Sequence, residues 1–147
     1  MRYIYLSAFR PVCGYTCTHQ TNMMAHKELL ALLDTAGYIH QVVQGSYKGV
    51  RELAVQVQLL YRQSLVPILA LARDLVQESV LYVEDEEAWL VYPAATDDID
   101  CRHVPLGTWQ LTDRRTALHG GNYTKIGEDY YTCAPAALER VTGWWAA

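Results

Sequence analysis

The stretch Gly45-Ser46-Tyr47-Lys48-Gly49-Val50-Arg51-Glu52 decides how the chain is read. Two glycines frame a phenol and a cation, and a carboxylate follows at once. On its N-terminal side, Tyr38 to Gln44 reads as a strand. On its C-terminal side, Leu53, Val55, Val57 and Leu59 alternate with Glu52, Ala54, Gln56 and Gln58, the period of a half-buried strand over Glu52–Leu60. The stretch is therefore a turn between two paired strands, and Glu52 stands at the start of the second, on its polar face.

Working outward, residues 3–9 alternate as well. Ile4, Leu6 and Ala8 make one face, and Tyr3, Tyr5, Ser7 and Phe9 make the other. Between this strand and the next, Asn22 reads as a helix cap, followed by the stripe Ala25, Leu29, Leu32, Leu33 and Ala36 and a stop at Gly37. After the Glu52 strand, Ser64 reads as a second cap. Pro67 is tolerated in the first turn, and Leu65, Ile68, Leu69, Ala72, Leu75 and Val76 form the buried stripe. Ser79–Val83 is a fourth strand. The order is βαββαβ, and it predicts a ferredoxin-like α+β domain, an antiparallel sheet with two helices on one face. Asp85-Glu86 reads as a hairpin turn into a strand at Ala88–Tyr92. Cys101–Val104, Thr108–Leu111 and Tyr130–Cys133 read as additional C-terminal strands, and Ala136–Val141 as a short terminal helix. Residues 1–147 make one domain.

In that topology the end of the first strand meets the starts of the third and fourth. Ser7, Arg10, Tyr47, Glu52 and Gln77 should then cluster at one end of the sheet, on the face the helices leave bare. That face carries Tyr3 and Tyr5 and is too apolar to stay uncovered. Cover is expected from the C-terminal segments, from other subunits, or from both. Each residue also has a plainer reading. Glu52 is then a solvated carboxylate paired with Arg51 or Lys48, Arg10 a surface charge, and Gln77 a partner of the backbone.

Composition narrows the function. The chain has 147 residues, is 51% hydrophobic and 19% charged, and carries a net charge of −4. That balance suits a globular protein and opposes a nucleic-acid binder that works by phosphate neutralisation. An RNA-binding domain of the same topology would need a basic–Gly–aromatic strand, which Glu-Leu-Ala-Val-Gln-Val-Gln does not supply. No apolar run approaches the ~20 residues of a membrane span. A strand pattern at the N-terminus leaves no place for a signal peptide, and a cytoplasmic location is expected. Cys13, Cys17, Cys101 and Cys133 read as reduced thiols. Cys13 and Cys17 lie near His19 without a paired metal-ligand frame, so no metal is expected.

The runs LSAFRP, THQTNMMAH, GSYKG with REL-AVQV, QESVLYV, GTWQLTD and GNYTKIG occur in order over residues 3–132. Together they resemble the phage-encoded S-adenosylmethionine-degrading enzymes, formerly called hydrolases and now understood as lyases. The resemblance implies cleavage of S-adenosylmethionine to 5′-methylthioadenosine and homoserine lactone without metal or cofactor. It implies homotrimers with sites at subunit interfaces, and depletion of host S-adenosylmethionine as an anti-restriction role in the host cytoplasm. It places the site tyrosine on Tyr47 and the essential glutamate on Glu52; the segment between them is shorter here. Phe9 joins Ser7, Arg10 and Gln77 as an expected substrate contact. A non-catalytic trimeric module that binds S-adenosylmethionine or another adenine nucleotide is the alternative from a different class.

Overall fold

The computed structural model describes residues 1–10, 18–47, 49–75, 77, 79–93 and 103–134, apart from the side chains of Tyr47 and Ala134. Cys13, Cys17, Cys101, Lys48, Val76, the acidic run 97–100 and the terminal helix expected at 136–141 lie outside the described residues. The elements are β1 (Arg2–Leu6), α1 (His19–Ala36), β2 (Ile39–Tyr47), β3 (Val50–Leu59), α2 (Val66–Asp74) and β4 (Val80–Glu84). They continue with β5 (Glu87–Val91), β6 (His103–Thr112), α3 (Arg114–Gly120), β7 (Tyr123–Ile126) and β8 (Asp129–Ala134).

The strands close into an antiparallel barrel of order β1-β3-β2-β7-β8-β6-β5-β4. The open ferredoxin-like sheet expected above is thereby corrected. β1 does pair with both β3 and β4, and β2 with β3. The C-terminal strands, expected as additions to that sheet, occupy both of its edges and join each other. β5 pairs with β4 across the Asp85-Glu86 turn, where both residues take positive φ (49° and 70°) as a tight hairpin requires. β7 pairs with β2, Gln44 opposite Lys125, and β6 and β8 complete the ring. Closure removes the unpaired edges of the sheet and its bare apolar face together.

Two cores result. Ile4, Leu6, Val55, Val57 and Leu59 on the outside of the sheet pack against Leu29 and Leu33 of α1 and Ile68, Leu69 and Ala72 of α2. Tyr5, Val43, Ala54, Val83, Ala88, Leu90, Leu106 and Cys133 point inward and fill the barrel. The face expected to need cover from the C-terminal segments, other subunits or both is the lumen, and β5–β8 of the same chain cover it. Leu32, placed on the buried stripe of α1 by periodicity, is instead 53% exposed.

Local details move too. Thr18, not Asn22, caps α1, in a reciprocal box with Thr21. Asn22 is buried within the helix, and its side chain clamps the backbone of Arg10, accepting from the amide at 3.0 Å and donating to the carbonyl at 2.8 Å. β2 runs on through Gly45 to Tyr47, which pairs with Val50, and Gly49 takes φ +80°. Ser64 accepts from the Val66 amide at 3.1 Å just ahead of α2.

Candidate functional site

At the end of the barrel where β1 leaves and β3 begins, a cavity of about 300 Å³ opens into the lumen. Ser7, Glu52 and Gln77 line it together with Tyr5, Gly45 and Trp109. An eight-stranded barrel is just wide enough to be filled by side chains or to hold one small ligand. Here small residues, Gly45, Ser46 and Ala54, leave the upper lumen open.

Glu52 pairs with Gly45 in the β2–β3 ladder. Burial in the barrel mouth pushes its carboxyl above the usual carboxylate range, and the Ser7 hydroxyl beside it acts in the opposite direction more weakly. Ser7 is fully engaged. Its amide donates to Gln77 Oε1 at 3.0 Å, its hydroxyl donates to Leu53 O at 2.9 Å, and the same oxygen accepts from the Phe9 amide at 3.1 Å. The single hydroxyl proton is shared between the Leu53 carbonyl and the Glu52 carboxyl. Ser7 and Gln77 therefore fix the shape of the mouth.

The other expected contacts separate. Phe9 packs edge-on against His19 and His26, at 6.3 and 6.1 Å between ring centroids, on the α1 side of the sheet. Arg10 is exposed, and Asn22 holds its backbone. Neither lines the cavity. The backbone of Tyr47 ends β2 opposite Val50, so it stands on the strand that carries Gly45.

The far wall was not legible in the sequence. Trp109 from β6, Asn122, Tyr123 and Thr124 from the start of β7, and Thr132 and Cys133 from β8 complete the cavity. The Gly121 carbonyl ties this wall to the turn, accepting from the Ser46 hydroxyl at 2.8 Å and the Gly49 amide at 3.0 Å. The signal was present in the alternation of β6 and β8, but only closure of the barrel gives it meaning. Cys133 is buried, and its thiol is pushed up to about 12 by desolvation. Among the described residues no group of three His, Cys, Asp or Glu side chains could hold a metal ion, and no helix is long and apolar enough to cross a membrane.

The comparisons bear on this site directly. No curated protein matches the chain. The sequence profile of the S-adenosylmethionine lyase family matches residues 4–134, from β1 to the end of β8, which spans every wall of the cavity. The chain belongs to the S-adenosylmethionine lyase family.

Proposed function

We propose that the chain cleaves S-adenosylmethionine to 5′-methylthioadenosine and homoserine lactone in the cavity at Glu52. The observation that carries this reading is a half-buried carboxylate with a raised pKa in the mouth of a closed barrel whose whole length matches the family. The cavity sits at the small end of the ~300–1,000 Å³ range of ligand sites, so a nucleoside bearing an amino-acid arm fills it and reaches the rim.

The substrate brings its own nucleophile. Its carboxylate attacks the γ-carbon, the carbon–sulfur bond breaks, and the electron pair leaves on sulfur as neutral methylthioadenosine. A sulfonium and a carboxylate annihilate their charges along this path. The transition state is less polar than the ground state, and a site screened from water favours it. Folding the methionyl arm so that its oxygen lies behind the scissile bond supplies the rest through proximity.

Glu52 suits the α-ammonium or a ribose hydroxyl rather than the sulfonium. A carboxylate held against the sulfonium would stabilise the ground state most and slow the reaction. An arriving ammonium favours the ionised form that burial disfavours. Tyr47 lies at the end of the same hairpin and contacts the substrate through its hydroxyl or its ring. Copies of the chain assemble as a trimer. Exposed Leu111 and Leu118 lie in an outer groove of about 620 Å³ that also carries Arg51, Asp113, Lys125 and Glu128, so a contact between copies there would be mixed in character. The biological consequence we propose is depletion of adenosylmethionine in a host, blunting methylation-dependent restriction.

The test is a reaction in ¹⁸O-labelled water, quenched early and read by mass spectrometry. Unlabelled lactone and unlabelled methylthioadenosine are expected. Label on the γ-carbon of homoserine from the first turnover would establish hydrolysis and overturn the mechanism. Binding of adenosylmethionine without any product would leave a non-catalytic module.

A further inference from the structure

The lumen holds a second cavity at the opposite end of the barrel, with a volume of about 610 Å³. Tyr5 and Trp109 line both cavities and form the partition between them. We propose that this lower cavity binds a methylated onium cation, a quaternary ammonium or a sulfonium, independently of the site at Glu52.

Four aromatic side chains line the lower cavity beside Gln41, Gln56, Val83 and Ile126. The four are Tyr3, Tyr5, Trp109 and Tyr131. Trp109 stacks on Tyr131 at 5.8 Å with 10° between the planes, and Tyr5 leans on Trp109 at 5.6 Å and 47°. The phenol of Tyr5 accepts from Gln56 Nε2 at 2.9 Å, and Gln56 Oε1 in turn accepts from Gln41 Nε2 at 2.6 Å. The polar tip of the innermost ring is thereby satisfied, and the rings are held in place.

Asp85 and Glu86, both exposed, stand at the rim on the β4–β5 turn. The Glu86 carbonyl accepts from the Trp109 amide at 2.7 Å, which fixes that turn over the strand carrying the tryptophan. One Asp85 oxygen also accepts from the Met1 ammonium at 2.9 Å, so Glu86 supplies the acidic charge that no described ion pair offsets. Aromatic faces carry negative potential, and several around one space attract a cation. A methylated onium has a diffuse charge and no N–H or O–H. It therefore enters such a box without leaving a donor unpaired, whereas a primary ammonium would need three acceptors there.

The experiment titrates tetramethylammonium and trimethylsulfonium chloride into the full chain, with tert-butanol as the neutral isostere. The indole N–H resonance of Trp109, assigned with Trp109→Phe, is the readout. Saturable shifts with either onium and none with tert-butanol are expected. Tyr3→Leu should weaken the onium by roughly fivefold or more, and Tyr3→Phe should retain it. Gly45→Val, which adds bulk to the upper cavity alone, should leave onium binding unchanged, which separates this cavity from the substrate site. Should Tyr3→Leu fail to fold, the pair Asp85→Asn and Glu86→Gln replaces it, with weakened binding expected. Equal binding of tert-butanol, absence of saturation, or loss of onium binding in Gly45→Val would overturn the proposal.

Discussion

Gly45 and Glu52 stand opposite each other in the β2–β3 ladder and both border the upper cavity, so the residue without a side chain faces the one whose carboxyl is desolvated. A Cβ built on Gly45 would meet Ala54 Cβ and Glu52 O at 3.9 Å, ordinary contact distances. The glycine is therefore not demanded by backbone crowding. It leaves room beside the carboxylate.

Replacement at Gly45 should consequently separate folding from binding. Gly45→Ala is expected to fold and gain up to about 1 kcal/mol of stability, as alanine does over glycine within a strand. Gly45→Val adds bulk at the mouth and should raise KM for adenosylmethionine by about tenfold or more with the melting temperature little changed. Steady-state kinetics alongside thermal unfolding checks both.

Glu52→Gln should lower kcat by about 10²-fold or more, because a substrate misplaced by an ångström loses that much. The same variant should be more stable than the parent at neutral pH. The folded-state pKa of Glu52 lies above its ordinary 4.5. Its contribution to stability is thus fully present below 4.5 and is lost as pH rises through the folded value. The advantage of Gln should vanish near and below pH 4.5 and grow above it. Chemical denaturation at a series of pH values reads this directly. A parent-like activity would remove Glu52 from the site.

Ser7→Ala tests the coupling between the two residues. The Ser7 hydroxyl draws the Glu52 pKa downward, so removing it should raise that pKa further. If ionised Glu52 holds the substrate, the acid limb of kcat/KM lies above the ordinary carboxylate range in the parent and moves to still higher pH in Ser7→Ala. Stability should fall by about 1 kcal/mol through the bonds lost to Leu53 and Phe9. An acid limb that stays in place would show that the limb belongs to another group.

Leu106→Ala probes closure. Leu106 is fully buried in the lumen, on a strand that the sequence marked only as short extended pieces on either side of it. In an open sheet with loosely appended C-terminal strands its truncation would cost little. In the barrel it should cost about 2–5 kcal/mol by denaturant titration.

The strands around Glu52 were legible because alternation is a local property. Leu53, Val55 and Val57 against Ala54 and Gln56 announce both the strand and its two faces, and they put Ser7 and Glu52 on the same one. Closure was not legible, because alternation names a face without naming its cover. Ala88, Leu90, Leu106 and Cys133 each obey the strand period, yet nothing in that period says they meet Tyr5 and Ala54. The departure of Phe9 and Arg10 from the site has a similar origin. A chain leaving a strand turns according to what holds it, and the side chain that holds Arg10 is Asn22, a residue whose type suggested a helix cap.

The pairing of Gln44 with Lys125 also sets an order of events during synthesis. While β1 to β4 are already outside the ribosome, the partner of β2 has yet to be made, and the nascent chain carries the apolar inner face of Tyr5, Val43 and Ala54 in the open. Ring closure between such distant segments is slow relative to local hairpin formation. The half-made barrel is therefore the form most in need of a chaperone, and a chain cut short before β7 should be found in inclusion bodies even though each of its hairpins is complete.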